Sequence, residues 1–561
     1  MINAEKRKTI LLLIPIIIVL VGYVLYPLIE TMIESFKKDG FISLQNYQDF
    51  FGAKSAANFE ALWNSVWISL VSVFFSALIG VPLAYIFNRY DFPGRKFFSN
   101  IAIMPIVLPS LVGVMAFMYL YGEAGLVPNM IKDLFNLAEV PFSIGGISGI
   151  LIVHAYTMYP YFYMTTASAL NNIDPSLEEA ANNLGANRFR VFWKVTFPLL
   201  TPGLVAASLL VFMVSMASFS APFLLAGGFR VLSLQIYFSK MNGDLEMAAT
   251  QSVILTIVSV SFLLFMRWYQ NRKDYRMSSK GIGAHRSEVS NPVLKWSMVT
   301  LGILAVIVLL LPHVTLLILS LVPEGAWTWQ TYPTAFSLEN FRLLFENPNV
   351  WDPVRNSLIM SFIACLGVFI FGIIASYTLV KRKFIGKNLL DILVMLPWIL
   401  PATVVGMNLV LAFNEPSVFS FGKVLVGSFW ILPLAYFVRF IPLVVRSASA
   451  VLEQMDDSLE EAAQNLGAKW FYAFRRVVIP IILPGVLSGT LLAFVQAVGE
   501  FPTSVLLYTL DNRPISIEIM NQLRMFNMGI AAAYGMIQVG LIAIVMIISS
   551  KFLKVRNQDA L

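Results

Sequence analysis

Long apolar segments alternate along this chain with short polar segments that hold most of its charged residues. An apolar run of about 20 residues is what an α-helix needs to cross a bilayer. Such runs lie at residues 10–29, 62–87, 100–121, 147–170, 199–225, 248–266, 296–322, 356–380, 389–412, 428–450, 481–507 and 529–550. The runs are apolar on every face and lack the period of two of barrel strands. The pattern therefore predicts an all-α integral membrane protein with about twelve transmembrane helices.

Composition supports this class. Of the 561 residues, 58% are hydrophobic and 13% are charged, which excludes a soluble fold. Lys6, Arg7 and Lys8 precede the first run, and no small-residue cleavage site follows it, so we interpret this run as a retained anchor with a cytoplasmic N-terminus. Twelve spans then place the C-terminus in the cytoplasm as well. Most Lys and Arg residues fall in the predicted inside loops, so the net charge of +7 reflects topology and not nucleic-acid binding.

One sequence is present twice. Ser176–Pro202 reads SLEEAANNLGANRFRVFWKVTFPLLTP, and Ser458–Pro484 reads SLEEAAQNLGAKWFYAFRRVVIPIILP. The similarity extends outward from these segments, since MPIVLPSLVGV at 104–114 is echoed by LPWILPATVVG at 396–406. The chain is therefore predicted to consist of two homologous six-helix halves, 1–284 and 285–561, with a polar cytoplasmic linker at about 267–295.

Each repeated segment carries signals for a short helix and a sharp turn. Ser176 with Glu179, and likewise Ser458 with its glutamate three residues later, have the spacing of a capping box that starts a helix. Gly185 and Gly467 then stop each helix and permit a turn into a second one. The predicted product is a helix-turn-helix on the cytoplasmic side, with an apolar, small-residue surface suited to docking.

These residues resemble the EAA loop of ABC importer permeases, E-A-A-x3-G-x9-I-x-L-P. The positions that match are Glu179, Ala180, Ala181, Gly185 and Pro198 in the first copy, and Glu461, Ala462, Ala463, Gly467 and Pro480 in the second. Both copies have Val where the motif has Ile, and Phe197 and Ile479 replace its Leu, which are apolar exchanges.

The resemblance implies a fused pair of type I ABC importer permeases in a bacterial or archaeal cytoplasmic membrane. Its loops at 174–202 and 456–484 would each dock one copy of an ATP-hydrolysing subunit, and an extracytoplasmic binding protein would deliver the substrate. Gly386-Lys387 and Gly422-Lys423 lack the Ser or Thr that follows in a phosphate-binding loop. We therefore expect no catalytic residues and no bound cofactor in this chain, with ATP and Mg²⁺ on the partner subunits.

Two other classes compete with an ABC permease. A secondary transporter can also contain internal repeats, but its coupling would require ionisable residues within the spans, and only Arg439 and Glu500 lie clearly inside them. A channel or a purely structural membrane protein would leave the duplicated loop unexplained.

The substrate is less closely defined. Fused permeases of this length resemble ferric-iron importers most, and GEFPTSVLLYTLDNRPISIEI at 499–519 is similar to the corresponding region of that group. Permeases for 2-aminoethylphosphonate, thiamine and polyamines are related alternatives. His154, His285 and His313 are scattered, so no metal site is predicted, and iron specificity would reside in the binding protein.

One polar group within the spans is a candidate for the substrate pathway. Glu500 follows Gln496 by one helical turn of the predicted span, and Ser504 follows by another, so the three side chains are expected to share one face. A carboxylate in a span should face protein or water. The sequence leaves open whether this face lines the translocation path or forms a structural hydrogen bond between helices.

Overall fold

The computed structural model describes residues 2–52, 56–271, 287–327, 332–456 and 458–558. Helices account for most of this part of the chain, because apolar segments satisfy their own backbone groups only in helices. Those of the first half are α1 (Ile2–Leu20), α2 (Tyr26–Ser35), α3 (Gln45–Phe51), α4 (Ala56–Arg89), α5 (Arg95–Ile101), α6 (Ser110–Tyr121), α7 (Leu126–Leu134), α8 (Gly146–Asn172), α9 (Pro175–Asn183), α10 (Arg188–Val191), α11 (Phe197–Met216), α12 (Ser220–Leu225), α13 (Leu232–Met241) and α14 (Leu245–Asn271).

The second half repeats this order. Its helices are α15 (Pro292–Leu321), α16 (Glu339–Glu346), α17 (Pro348–Lys381), α18 (Lys387–Ile399), α19 (Ala402–Phe413), α20 (Ile431–Gln454), α21 (Ser458–Asn465), α22 (Trp470–Ala473), α23 (Ile479–Val498), α24 (Ser504–Leu507), α25 (Ile515–Arg524) and α26 (Met528–Gln558). Segments of π-helix lie at Val21–Leu25, Phe192–Thr196 and Phe474–Val478, and 3-10 turns at Met104–Val107 and Val418–Ser420. Two-residue strands pair antiparallel as β1 (Lys37–Lys38) with β2 (Phe41–Ile42), and parallel as β3 (Tyr90–Asp91) with β4 (Ser287–Glu288).

Most of the predicted spans coincide with single helices. Within the described ranges, ten helical segments are long and apolar enough to cross a membrane, and the bent pair α18 and α19 makes an eleventh. The predicted span 147–170 coincides with α8, which is not among these eleven segments, so the count over the described ranges is one short of the predicted twelve. The predicted spans 199–225 and 481–507 are too long, because their helices α11 and α23 end at Met216 and Val498.

Prolines break two of the spans. Residues 100–121 contain the end of α5, a 3-10 turn and α6, and α6 begins directly after Pro109. In the second half α18 and α19 meet at an angle of 107°, and α19 begins directly after Pro401. Proline cannot donate a backbone hydrogen bond and disfavours helix at the preceding residue, which explains a break at both places.

The chain forms two compact units that do not follow the order of the sequence. One comprises Met1–Lys54, Ile236–Ile254 and Phe341–Leu561, and the other Ser55–Gln235 and Leu255–Asn340. Each unit thus combines most of one half with the first span of the other half. In the first, Thr31 of α2 donates a 2.7 Å hydrogen bond to Asn408 of α19. In the second, Tyr156 of α8 donates a 2.7 Å hydrogen bond to the Leu309 carbonyl of α15.

In each unit, the first span of one half packs with helices of the other half. This packing does not change where the repeated sequences begin and end. The predicted boundary between the repeated halves, near residue 284, lies outside the described residues and remains a prediction.

The repeated halves reproduce individual hydrogen bonds. Ser65 at the start of α4 accepts a 2.8 Å hydrogen bond from the Leu232 amide, and Ser357 of α17 accepts one of 2.8 Å from the Ile515 amide. Within each unit, the first residue of α13 or α25 is therefore hydrogen-bonded to the long second-span helix in the same way.

Close helix packing in both units depends on glycine. A Cβ on Gly80 of α4 would lie 2.5 Å from the Tyr159 carbonyl oxygen of α8. A Cβ on Gly489 of α23 would lie 2.8 Å from the Val444 Cα of α20. These distances fall below van der Waals contact, so the helices could not approach so closely with larger residues.

Candidate functional site

The first feature of the candidate site is how each repeated loop starts its helix. Asp174 caps α9 and accepts a 2.9 Å hydrogen bond from the Ser176 amide, and Asp456 accepts one of 2.9 Å from the Ser458 amide. The predicted capping boxes are therefore wrong, because Ser176 and Ser458 lie inside the helices and an aspartate two residues earlier accepts the free amide. The same amide hydrogen bond holds the pKa of Asp456 below its usual value.

The predicted glycine turns are confirmed. Gly185 and Gly467 have φ angles of +84° and +90°, in the left-handed region that a residue with a Cβ rarely adopts. After each glycine the chain closes a Schellman turn, in which the Ala186 amide donates to the Ala181 carbonyl at 3.0 Å and the Ala468 amide donates to the Ala463 carbonyl at 3.1 Å. The short helix thus ends in a rigid turn with paired carbonyls.

The second helix of each loop continues directly into a membrane span. After the first turn, α10, the π-helical segment and α11 follow without interruption, and α22, the second π-helical segment and α23 do the same. Pro198 and Pro480 are the second residues of α11 and α23. Proline has no amide hydrogen to continue the α-helical pattern, which accounts for the wider π-helical turn just before it.

The outer face of each loop exposes matched apolar residues. Leu184 and Leu466, which precede the turns, are 89% and 90% exposed, and Phe189 and Phe471 beyond the turns are exposed as well. The motif residues share this surface: Glu179, Ala180, Gly185, Glu461, Ala462 and Gly467 are exposed, and Ala181 and Ala463 are half-buried. Exposed apolar side chains at corresponding positions of two copies are typical of a surface that binds a partner.

The inner face holds residues that sequence reasoning missed. Glu178 is buried, forms an ion pair with Arg89 at the end of α4, and accepts a 2.7 Å hydrogen bond from the Thr196 hydroxyl. Its counterpart Glu460 accepts a 2.8 Å hydrogen bond from the Tyr377 hydroxyl of α17. Neighbouring helical residues point about 100° apart, so two adjacent glutamates could have indicated one outward and one inward side chain.

The structure brings together two of the three predicted pathway residues. Glu500 is 5% exposed, and its carboxylate accepts hydrogen bonds from the Thr503 amide at 3.0 Å, the Ser504 amide at 2.9 Å and the Ser504 hydroxyl at 2.8 Å. Gln496 is exposed on α23, which ends at Val498. The expectation that one helix face carries all three residues is therefore wrong, because the helix ends before Glu500.

Glu500 acts as a cap for the short helix α24. Arg439 of α20 lies nearby, with 3.9 Å between its Nε and Glu500 Oε1, and Tyr436 contacts the Ser504 hydroxyl at 2.8 Å. The carboxylate is thus surrounded by donors, as a buried charge requires. A role of Gln496, Glu500 and Ser504 in the substrate pathway remains a prediction.

The first half has a histidine and three serines at the corresponding place. His154 contacts the hydroxyl groups of Ser72, Ser215 and Ser218 at 2.9, 3.2 and 2.8 Å. His313 contacts the Leu309 carbonyl at 3.3 Å, so both histidines are hydrogen-bonded, whereas His285 lies outside the described residues. In the described part of the chain, no group of three or more His, Cys, Asp or Glu residues could hold a metal ion.

Several known proteins are similar in sequence to this chain over most of its length. The ferric transport system permease protein FbpB of Actinobacillus pleuropneumoniae is 28% identical over 94% of this chain and 75% of the relative. The putative ferric transport system permease protein FbpB 1 of Haemophilus influenzae is 30% identical over 81% of this chain and 70% of the relative. A probable ABC transporter permease protein of Sinorhizobium fredii is 27% identical over 84% of this chain and 83% of the relative.

The family comparison agrees with the internal repeat. The model of the binding-protein-dependent transport system inner membrane component matches residues 76–279 and again 368–557. Each match contains one of the loops described above. The chain therefore belongs to this family of ABC importer permeases and carries its domain twice, in fused form.

Proposed function

We propose that this chain forms the translocation pathway of an ATP-driven importer for ferric iron, with two ATPase subunits docked on its loops at 174–202 and 456–484. The proposal rests on the two exposed loops. Each loop presents a leucine and a phenylalanine outward and continues directly into a membrane span, so a partner that moves the loop also moves the span.

Energy would come from the partner subunits, which would bind ATP and Mg²⁺. Two equivalent docking loops fit two copies of one ATPase. The loops would lie on the cytoplasmic side, with both chain termini, in the cytoplasmic membrane of a bacterium or archaeon. This orientation is supported by the excess of Lys and Arg in the predicted inside loops.

Ferric iron is proposed because the relatives named for ferric transport are similar over most of the chain. The described residues offer no metal-binding cluster of their own, and the Glu500 carboxylate already accepts three hydrogen bonds. Iron selectivity is therefore assigned to an extracytoplasmic binding protein that delivers the ion to this chain.

The docking proposal is tested by adding charge to the exposed leucines. Leu184→Glu and Leu466→Glu should each reduce co-purification of the ATPase, because a carboxylate in an apolar contact is desolvated without a partner. Leu134→Glu is the matched control, since Leu134 is also exposed but lies on α7, far along the chain from either loop. Normal co-purification of both loop variants would contradict the docking assignment.

The substrate proposal is tested by uptake into proteoliposomes that contain the full complex. Radioactive ferric iron, 2-aminoethylphosphonate, thiamine and a polyamine are each supplied with the binding protein. We expect ATP-dependent accumulation of iron alone. Uptake of another solute without iron would overturn the substrate, whereas uptake that needs an ion gradient and no ATP would favour a secondary transporter.

A further inference from the structure

The inner faces of the two loops contact the spans through different polar interactions. In the first loop, the Glu178 carboxylate pairs with the Arg89 guanidinium and accepts a hydrogen bond from Thr196. Arg89 is the last residue of α4, and Thr196 belongs to the π-helical segment before α11. One buried carboxylate therefore connects the loop helix α9 to two different spans.

The second loop uses a tyrosine in place of the arginine. Tyr377 is fully buried on α17, donates its hydroxyl hydrogen to Glu460 at 2.8 Å, and accepts 2.9 Å hydrogen bonds from the Trp470 indole and the Arg382 guanidinium. The indole of Trp470 stacks on Phe474 with 5.6 Å between centroids. Here too the inner glutamate connects the loop helix, α21, to the end of a long span.

The difference between the loops arises on a shared scaffold. Tyr85 and Phe192 form an edge-on ring pair with centroids 5.2 Å apart in the first half, and Tyr377 and Phe474 form one at 4.8 Å in the second. The partners of the glutamate differ around this shared ring pair. A valine occupies the position of Thr196 in the second copy, and its side chain cannot donate a hydrogen bond.

The basic residue at the end of the span also takes a different role. Lys381 ends α17 as Arg89 ends α4, and its ammonium group donates a 3.0 Å hydrogen bond to the Met455 carbonyl. Glu460 thus accepts its hydrogen bond from a hydroxyl group, which itself accepts one from Arg382, whereas Glu178 contacts a guanidinium directly.

We propose that Glu178 and Glu460 are positioning residues that transmit motion of the docked ATPases to α4 and α17, and that the first link depends on an ion pair with a guanidinium while the second depends on a hydrogen bond from a hydroxyl group. This inference rests on the docking function proposed above. Each loop helix also packs on the π-helical segment of its own loop. The glutamates add a polar link from α9 to α4 and from α21 to α17, so movement of the loop helix is passed to these spans.

The proposal predicts unequal effects of one conservative change. In Glu178→Gln the carboxylate charge that pairs with the Arg89 guanidinium is lost, which weakens a link that depends on charge. In Glu460→Gln the amide oxygen can still accept the Tyr377 hydroxyl hydrogen. The first variant should therefore uncouple the transporter and the second should not.

The experiment uses the full complex of this chain with its ATPase in lipid nanodiscs. The readout is the ratio of ATPase rates with and without iron-loaded binding protein. Since coupling between sites is typically about 5–150-fold, Glu178→Gln should lower this ratio ~5-fold or more, and Glu460→Gln should leave most of it. The exchanged pair Glu178→Arg with Arg89→Glu should restore part of the lost ratio.

Each outcome decides the proposal. An unchanged ratio in Glu178→Gln, or equal losses in the two glutamine variants, would overturn it. Loss of the ATPase from purified Glu178→Gln would also overturn it, because that glutamate would then act in binding and not in transmission. Failure of the wild-type chain to retain an ATPase would instead refute the proposed docking function.

A second pair of variants serves if Glu178→Gln does not fold. Arg89→Lys retains the positive charge and should keep the stimulation ratio, whereas Arg89→Met removes the charge and should lose it. Equal ratios in these two variants would overturn the charge-dependent link. Thermal unfolding of each purified complex is measured in parallel, because a merely structural residue would lower the unfolding temperature without changing the ratio.

Discussion

The left-handed turn at Gly467 allows a graded test of the docking loop. Its φ of +90° is accessible to glycine, tolerated by asparagine and strained for a β-branched residue. A Cβ added at this glycine would meet no atom within 4 Å, so the backbone conformation alone sets the cost. Gly467→Val should therefore cost about 1–2 kcal/mol in the turn, and Gly467→Asn clearly less.

This cost has a measurable consequence. A change of about 1–2 kcal/mol alters a conformational equilibrium by a factor of roughly 5–30, so the ratio of opened to closed turn should rise by that factor in the valine variant. Binding-protein-stimulated ATPase activity and iron uptake should fall in the order glycine, asparagine, valine. Abundance in the membrane should remain normal, because Gly467 is exposed and an added side chain would not displace any residue of the spans.

The control for this series is Gly228, which is also exposed with no atom within 4 Å of an added Cβ but has a φ outside the left-handed region. Gly228→Val should have little effect on coupling. Equal activity of Gly467→Asn and Gly467→Val would refute the reasoning, since their difference rests only on the left-handed backbone. Reduced activity of Gly228→Val to the same degree would show that the change of side chain, and not the turn, is responsible.

Three further predictions concern topology, the buried carboxylate and packing. Reporters inserted in 267–295 and after the last residue should both indicate the cytoplasm and one in 323–355 the outside; an outside signal from the linker would remove the twelve-span arrangement. Glu500→Gln should reduce iron uptake with normal abundance if this carboxylate attracts the cation in the pathway, whereas unchanged uptake, together with low abundance of Glu500→Leu, would assign it to helix capping alone. Gly80→Ala should destabilise the protein by about 1–3 kcal/mol, measured as a lower thermal unfolding temperature, because its Cβ would overlap a backbone carbonyl; an unchanged unfolding temperature would mean that the helices can separate at little cost.

The sequence by itself determined the class of this protein. Apolar runs of span length impose helices, because backbone groups in lipid have no other partners, and this rule holds without knowledge of packing. The turns of the two repeated loops could also be predicted from local sequence. Gly185 and Gly467 end their helices because glycine adopts the left-handed φ angle that each turn needs.

Local sequence was insufficient where the same residues were compatible with two different helix ends. The serine of S-x-x-E was expected to cap the helix, but Asp174 lies two residues earlier, is followed by a proline suited to the first turn, and takes the cap instead. Gln496 and Glu500 have helical spacing, yet the helix ends between them at Val498. Helix ends depend on which donors and acceptors compete for the last amides and carbonyls, and the spacing of residues does not reveal this competition.

Only the tertiary structure decided which residues meet across the chain. Thr31 donates a hydrogen bond to Asn408, and Tyr156 donates one to the Leu309 carbonyl, because the first span of each half packs with helices of the other half. Glu178 and Glu460 occupy the same place in two nearly identical segments, but one pairs with a guanidinium and the other with a phenol. Their partners lie about 80 residues or more away in sequence, so the chemistry that fastens each loop follows from packing and not from the repeated motif.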